Sequence, residues 1–153
     1  MKVKIEIDSE LEETEIIIRC NRLDDSLINL QNSIMEQGGI QCISLCHKET
    51  AYYVPIKEIY FFETEGGHIF AHTADKVFDA PYKLYELEEM LPAGFMRVSK
   101  SAIINLDAVY SITRNLTASS VVEFVHSQKK AMVSRGYYKA LMDKLNSRRL
   151  RKE

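Results

Sequence analysis

Residues 2–8 read KVKIEID, with Val3, Ile5 and Ile7 alternating against Lys2, Lys4, Glu6 and Asp8. That period of two predicts a half-buried strand. The acidic connector SELEETE leads to a second predicted strand, EIIIRC over 15–20, built on the run Ile16-Ile17-Ile18. The period then changes. Leu23, Leu27, Leu30 and Ile34 recur at helical spacing, Asp24 or Asp25 can cap the start, and Gly38-Gly39 ends the helix. A ββα-like segment over 1–43 is therefore expected ahead of the main domain, as a dimerisation or regulatory element.

From residue 40 the chain breaks into short apolar runs separated by turn residues. Strands are predicted over 40–47 and 49–56, joined at Lys48-Glu49, and over 57–65, with Ile59 and Phe61 on one face and Tyr60 and Phe62 on the other. Gly66-Gly67 turns the chain into a strand holding Ile69, Phe70 and Ala71. KVFDAPY adds a short strand ending at Pro81. One amphipathic helix is predicted over 83–91, with Leu84, Leu87, Met90 and Leu91 inward, and Pro92-Ala93-Gly94 breaks it. FMRVSKSAIINLDAVYSITRN is expected to run extended with a kink near Asn105-Leu106-Asp107. TASSVVEFVHSQ and KKAMVSRG close the sheet, and a last helix begins after Arg135-Gly136. Many short strands with one short helix among them argue for a mainly β fold, a sandwich or stacked sheets. They argue against a helix-turn-helix, which needs two adjacent short helices.

Composition adds little and charge adds more. No apolar stretch approaches the roughly 18 residues a membrane helix needs, and the start lacks the apolar core of a signal peptide, so the expected location is cytoplasmic. Cys20, Cys42 and Cys46 are odd in number, and with His47 they fit no common zinc spacing, so they read as free thiols. Net charge is only −2, but residues 1–46 carry four basic and nine acidic side chains, whereas 129–153 carry nine basic and two acidic. A basic end suggests a polyanionic partner; it also suits the C-terminus of a solvated helix.

No enzyme constellation stands out. His68 and His72 share a strand face, but a metal pair there competes with simple solvated turn residues, and Ser99 and Ser101 lack a nucleophile-elbow context. The chain reads as a non-enzyme without metal or cofactor. RVSKS, residues 97–101, is more informative, because a strand that only fills a core has no use for a lysine between two serines. His68, Lys100 and Arg135 each place a donor or a cation at a loop or strand end. Singly each has a bland explanation, a blunted sheet edge or an internal ion pair. Together with Lys129, Lys130, Lys139 and the tail they suit phosphates and base edges.

The run Phe95-Met96-Arg97-Val98-Ser99-Lys100-Ser101-Ala102-Ile103-Ile104-Asn105 closely resembles the signature of LytTR DNA-binding domains. Upstream, Ile59-Tyr60-Phe61-Phe62-Glu63 resembles the family's I-x-[YF]-[IF]-E strand; downstream, Val133-Ser134-Arg135-Gly136-Tyr137-Tyr138-Lys139 resembles its closing V-S-R segment. The resemblance covers about 44–146 and would leave 147–153 as a basic tail. It implies an elongated fold of stacked β-sheets with a short helix and a C-terminal helix, and duplex DNA read by loops. The implied DNA-binding residues are His68, Arg97, Ser99, Lys100, Ser101, Arg135 and Lys139, with Arg97 equally able to pair with an acid inside the domain. The 43 or so preceding residues are too short for a receiver domain, so a stand-alone transcriptional regulator is implied. It would act as a homodimer on repeated half-sites, with a membrane-associated regulatory protein as a further partner. The rival reading is a protein–protein interaction module whose basic tail meets an acidic or membrane-associated partner.

Overall fold

The structure, a computed structural model, describes residues 1–12, 14–39 and 41–152, with side chains described through residue 148. The chain divides into two units, 1–34 and 35–153. In the first, the two predicted strands are not formed: the described residues before position 25 contain no strand. A strand persists only when its N–H and C=O groups enter a ladder, and the described residues of neither segment do so. Val3, Ile5 and Ile7 are 82%, 86% and 95% exposed. The predicted helix does form, as α1 (Asp25–Gln37), crossing the division between the units. Asp24 caps it. Its Oδ1 accepts from the Ser26 hydroxyl at 2.7 Å and the Leu27 amide at 3.0 Å, and these bonds, the Ser26 one first, hold its carboxyl below the usual range.

The second unit holds β1 (Cys42–His47), β2 (Thr50–Pro55), a 3-10 turn (Ile56–Glu58), β3 (Phe61–Glu65), β4 (His68–His72) and β5 (Val77–Asp79). Then come α2 (Leu84–Met90), β6 (Phe95–Ser99), β7 (Ala102–Asn105), a 3-10 turn (Leu106–Ala108), β8 (Val109–Thr113), β9 (Ser120–Phe124), β10 (Lys130–Val133) and α3 (Arg135–Lys152). All strand pairs are antiparallel. A seven-stranded sheet has the order β2-β1-β5-β4-β3-β7-β6, and a three-stranded sheet the order β10-β9-β8.

The large sheet is apolar on both faces. Phe62 and Ile103 join one core with Leu84, Leu87 and Leu91 from α2 and the residue after it. Phe61, Ala102 and Ile104 join the other, with Val122, Phe124 and Val133 of the small sheet and Leu141 of α3. β3 and β7 therefore lie in a middle layer, which is why FF and AII are continuous apolar runs rather than alternating ones. Ile59 packs with Phe62 and Tyr60 with Phe61, not as the expected alternation had it. The 3-10 turn delays the start of β3 to residue 61 and shifts the faces.

Two further differences bear on function. The stretch from 95 to 115 is not one extended run. β6 and β7 form a hairpin whose two-residue loop is Lys100-Ser101. The last helix begins at Arg135, so that residue belongs to its first turn. As expected, the helix carries the basic residues that end the chain, with α3 running to Lys152.

Asn105 stitches the middle layer to the loop that follows it. It is 4% exposed. Its Nδ2 donates to the Ile59 carbonyl at 2.9 Å, and its Oδ1 accepts from the Asp107 amide at 3.0 Å. Asn105→Ala would strand both partners and should lower unfolding free energy by about 1–3 kcal/mol, read by urea denaturation.

His72 sets an acid limit. Its ring stacks on Phe61, with centroids 4.2 Å apart and planes at 9°. Nε2 lies 2.9 Å from Glu63 Oε1, but off the N–H direction, and neither ring nitrogen has a hydrogen-bond partner among the described residues. Burial, and then the nearby Lys129 ammonium, push the His72 pKa down to about 4 from 6.5, so the ring is neutral at pH 7. The unfolded chain thus takes up a proton near pH 6.5 that the folded chain refuses until about pH 4. This contribution to stability is complete above that window and is lost as pH falls through it. The Glu63 carboxyl, pushed up by burial and then by Glu65, acts in the opposite sense. Thermal unfolding between pH 7 and pH 4 should show a decline that His72→Phe flattens.

Candidate nucleic-acid interface

Three segments distant in sequence end at the same edge of the stacked sheets. The β3–β4 loop is Gly66-Gly67, with Glu65 paired to His68. Both glycines have positive φ, +58° and +79°, as a two-residue mirror turn requires. Next to it, the Thr64 amide donates to the Ser101 carbonyl at 2.8 Å, which brings the Lys100-Ser101 loop alongside. On the far side of β7, the Ser134 amide donates to the Val98 carbonyl at 2.9 Å. That bond sets the first turn of α3, and Arg135 with it, against the end of β6. Lys139 follows Arg135 by four residues and lies on the same side of the helix.

His68, Lys100, Ser101, Arg135 and Lys139 are exposed. No hydrogen bond or ion pair among the described residues engages the charged or imidazole groups of His68, Lys100, Arg135 and Lys139. They are free to meet a ligand. Two exposed carboxylates stand near these loops, Glu65 opposite His68 and Glu88 beside Arg97.

Arg97 and Ser99 are occupied differently. Arg97 Nε donates to the Ser99 carbonyl at 3.0 Å, one terminal nitrogen donates to the Lys100 carbonyl at 2.6 Å, and the other pairs with Glu88 at 3.0 Å. Ser99 is 7% exposed, and its hydroxyl accepts from the Ser101 amide at 3.1 Å. Neither Lys100 nor Ser101 has a positive φ, so the loop is not the mirror turn that matches strand twist. A register shift between Arg97 and Ser99 and these side-chain bonds hold it instead. The guanidinium and the Ser99 hydroxyl thus shape the loop that presents Lys100.

Two expected phosphate partners stand elsewhere. Lys129 lies at the opposite end of β10 from Arg135, and its ammonium donates to the Lys76 carbonyl. Burial lowers its pKa, with Asp75 and Glu63 opposing. Lys130 lies 3.5 Å from Glu123. Arg148 is ion-paired with Asp107, and the side chains beyond it lie outside the described residues.

A residue the sequence did not flag joins the candidate edge. Thr113 pairs with Val121, and Ser120 with Val133, so Arg114 emerges beside the β10–α3 junction. It is exposed, and its guanidinium sits 4.8 Å from the centre of the Tyr138 ring. A single arginine after a strand carries no local signal. Only the register of the small sheet places it against Tyr138, in the first turn of α3.

The fold has known relatives. It superposes on the LytTr DNA-binding domain of a Bacillus cereus protein with a TM-score of 0.62 at 20% identity, covering 69% of this chain and 95% of that one. An uncharacterized HTH-type transcriptional regulator of Staphylococcus aureus strain NCTC 8325 is 25% identical over 105 residues, 69% of this chain and 71% of its own. A similarly described protein of the bovine strain RF122 aligns over 147 residues at 22% identity, covering 95% of this chain and 99% of its own. Their description mentions a helix-turn-helix, but among the described residues here strands separate every pair of helices. The profile of the LytTr DNA-binding domain matches residues 49–146. Since that match spans well over half of the chain, the protein belongs to the LytTr DNA-binding domain family.

Proposed function

We propose that this protein is a sequence-specific transcriptional regulator that reads duplex DNA through the loop edge described above, as a dimer on repeated half-sites. The observation that carries the reading is the convergence of His68, Lys100 and Arg135, from three separate segments, with their polar groups unengaged. In this reading Lys100 and Arg135 reach base edges, where arginine can grip guanine with two hydrogen bonds. His68 and Ser101 supply further donors, and Lys139 and Arg114 meet phosphates. Arg97 and Ser99 act as positioning residues: they hold the loop and need not touch DNA. The S. aureus relatives, described as transcriptional regulators, support the same assignment.

The test is selection from a random duplex library with the purified protein, followed by titration at two salt concentrations. A repeated enriched motif is expected. Weak, salt-sensitive binding to any duplex without enrichment would refute base readout. On the selected site, Lys100→Ala and Arg135→Ala should each weaken binding by about 1–3 kcal/mol in fluorescence anisotropy, with an unchanged circular dichroism spectrum. Lys139→Ala should weaken selected and random DNA alike and reduce the salt slope by about 1.

A further inference from the structure

We propose that residues 2–8 pair with the same residues of a second copy of this chain, forming an antiparallel ribbon whose two-fold axis passes through Ile5. This deepens the dimeric part of the reading above and rests on it. The structure leaves the segment with no ladder and with Val3, Ile5 and Ile7 exposed. Lys4 and Glu6 are ion-paired, so they already share a side, as positions two apart do in a strand.

The charge pattern selects the occupant. KVKIEID reads basic from one end and acidic from the other around Ile5. Two copies laid antiparallel about that residue set Lys2 opposite Asp8, Lys4 opposite Glu6 and Val3 opposite Ile7, and Ile5 faces its own copy. Every charged position on the polar face then meets an opposite charge, and every apolar position meets an apolar one. Such self-complementarity is what an isologous two-fold contact demands. Pairing within one chain does not achieve it. The hairpin register that sets both Ile5 and Ile7 against isoleucines, Ile18 and Ile16, puts Asp8 opposite Glu15 and Lys4 opposite Arg19. Like charges directly opposite destabilise a pair.

The same symmetry recurs in the second unpaired segment. About Ile17, Glu15 falls opposite Arg19 and Ile16 opposite Ile18. Ile16, Ile17 and Ile18 are 62%, 69% and 41% exposed. A lone two-stranded ribbon is marginal in water. Two ribbons stacked on one two-fold axis would bring five β-branched side chains from each copy, Val3, Ile5, Ile7, Ile16 and Ile18, into a shared apolar layer, with Ile17 on the opposite face.

The test uses the full chain in sedimentation equilibrium across the micromolar range. The wild type should be dimeric. Lys4→Glu creates a Glu–Glu pair at both symmetry-related places, and Glu6→Lys a Lys–Lys pair. Each should weaken self-association at least about tenfold. An equal mixture of the two variants should restore a dimer, because every pair then joins opposite charges. Under mild oxidation Ile5→Cys should give a disulfide-linked dimer, whereas Ile7→Cys and the wild type should not, since the copies of residue 7 lie about four residues apart along the ribbon. A monomeric wild type, single variants that stay dimeric, or a folded mixture that fails to associate would each overturn the proposal. DNA readout fails separately: loss of the Lys100 dependence would remove that reading and leave the sedimentation result untouched.

Discussion

The pairing of Phe61-Phe62-Glu63 with Ile104-Ile103-Ala102 is the contact on which the rest of the main unit depends. It places two strands, buried on both faces, between two separate cores, so each successive side chain has an assigned layer. A shift of either strand by one residue would exchange the α2 core for the α3 core along the whole of that strand. The register is pinned at one end by Asn105, bonded to Ile59 and to Asp107. At the other end it is pinned by the Thr64 amide on the Ser101 carbonyl. The loops that carry Lys100 and His68 are extensions of that register, which gives the candidate edge a rigid base.

α3 is placed by the second core. Leu141 is fully buried, with Tyr137, Tyr138 and Leu145 packed around it, and the Arg148–Asp107 pair ties down its later turns. A helix held along its length, with the Ser134 amide on the Val98 carbonyl at its start, can aim its first turn. Arg135 and Lys139 therefore point from a fixed element rather than from a tail. Many DNA readers of other folds, the helix-turn-helix among them, insert a helix into the groove. Here the unengaged donors sit on two hairpin loops and one helix start, and the helix body packs into the second core.

Basic residues divide into those that hold the fold and those left free, and the division does not follow abundance. Arg97, Lys129, Lys130 and Arg148 all have acceptors within the unit. Arg97 is the instructive case, since it stands in the motif itself and spends its donors on the loop backbone. The enriched positive charge at the chain end is therefore a poor guide to which cations are unengaged.

The sequence by itself determined the apolar periods, the two-residue turns at Lys48-Glu49 and Gly66-Gly67, the short helix after Pro81, and the family motifs that contain Lys100 and Arg135. These are local properties: a repeat of two or of 3.6, a glycine able to take positive φ, a residue type at a fixed offset. Tertiary structure decided what depends on partners far along the chain. It split the 95–115 run into a hairpin, moved Ile59 and Tyr60 to the opposite faces, and left 2–8 and 15–20 without a ladder. It also bonded Arg97 and Ser99 into the loop framework and set Arg114 against Tyr138. The reason is common to all of them. A strand needs another strand's N–H and C=O groups, and a charge is free or engaged according to which acceptor folds against it, and neither is written within a few residues of the position concerned.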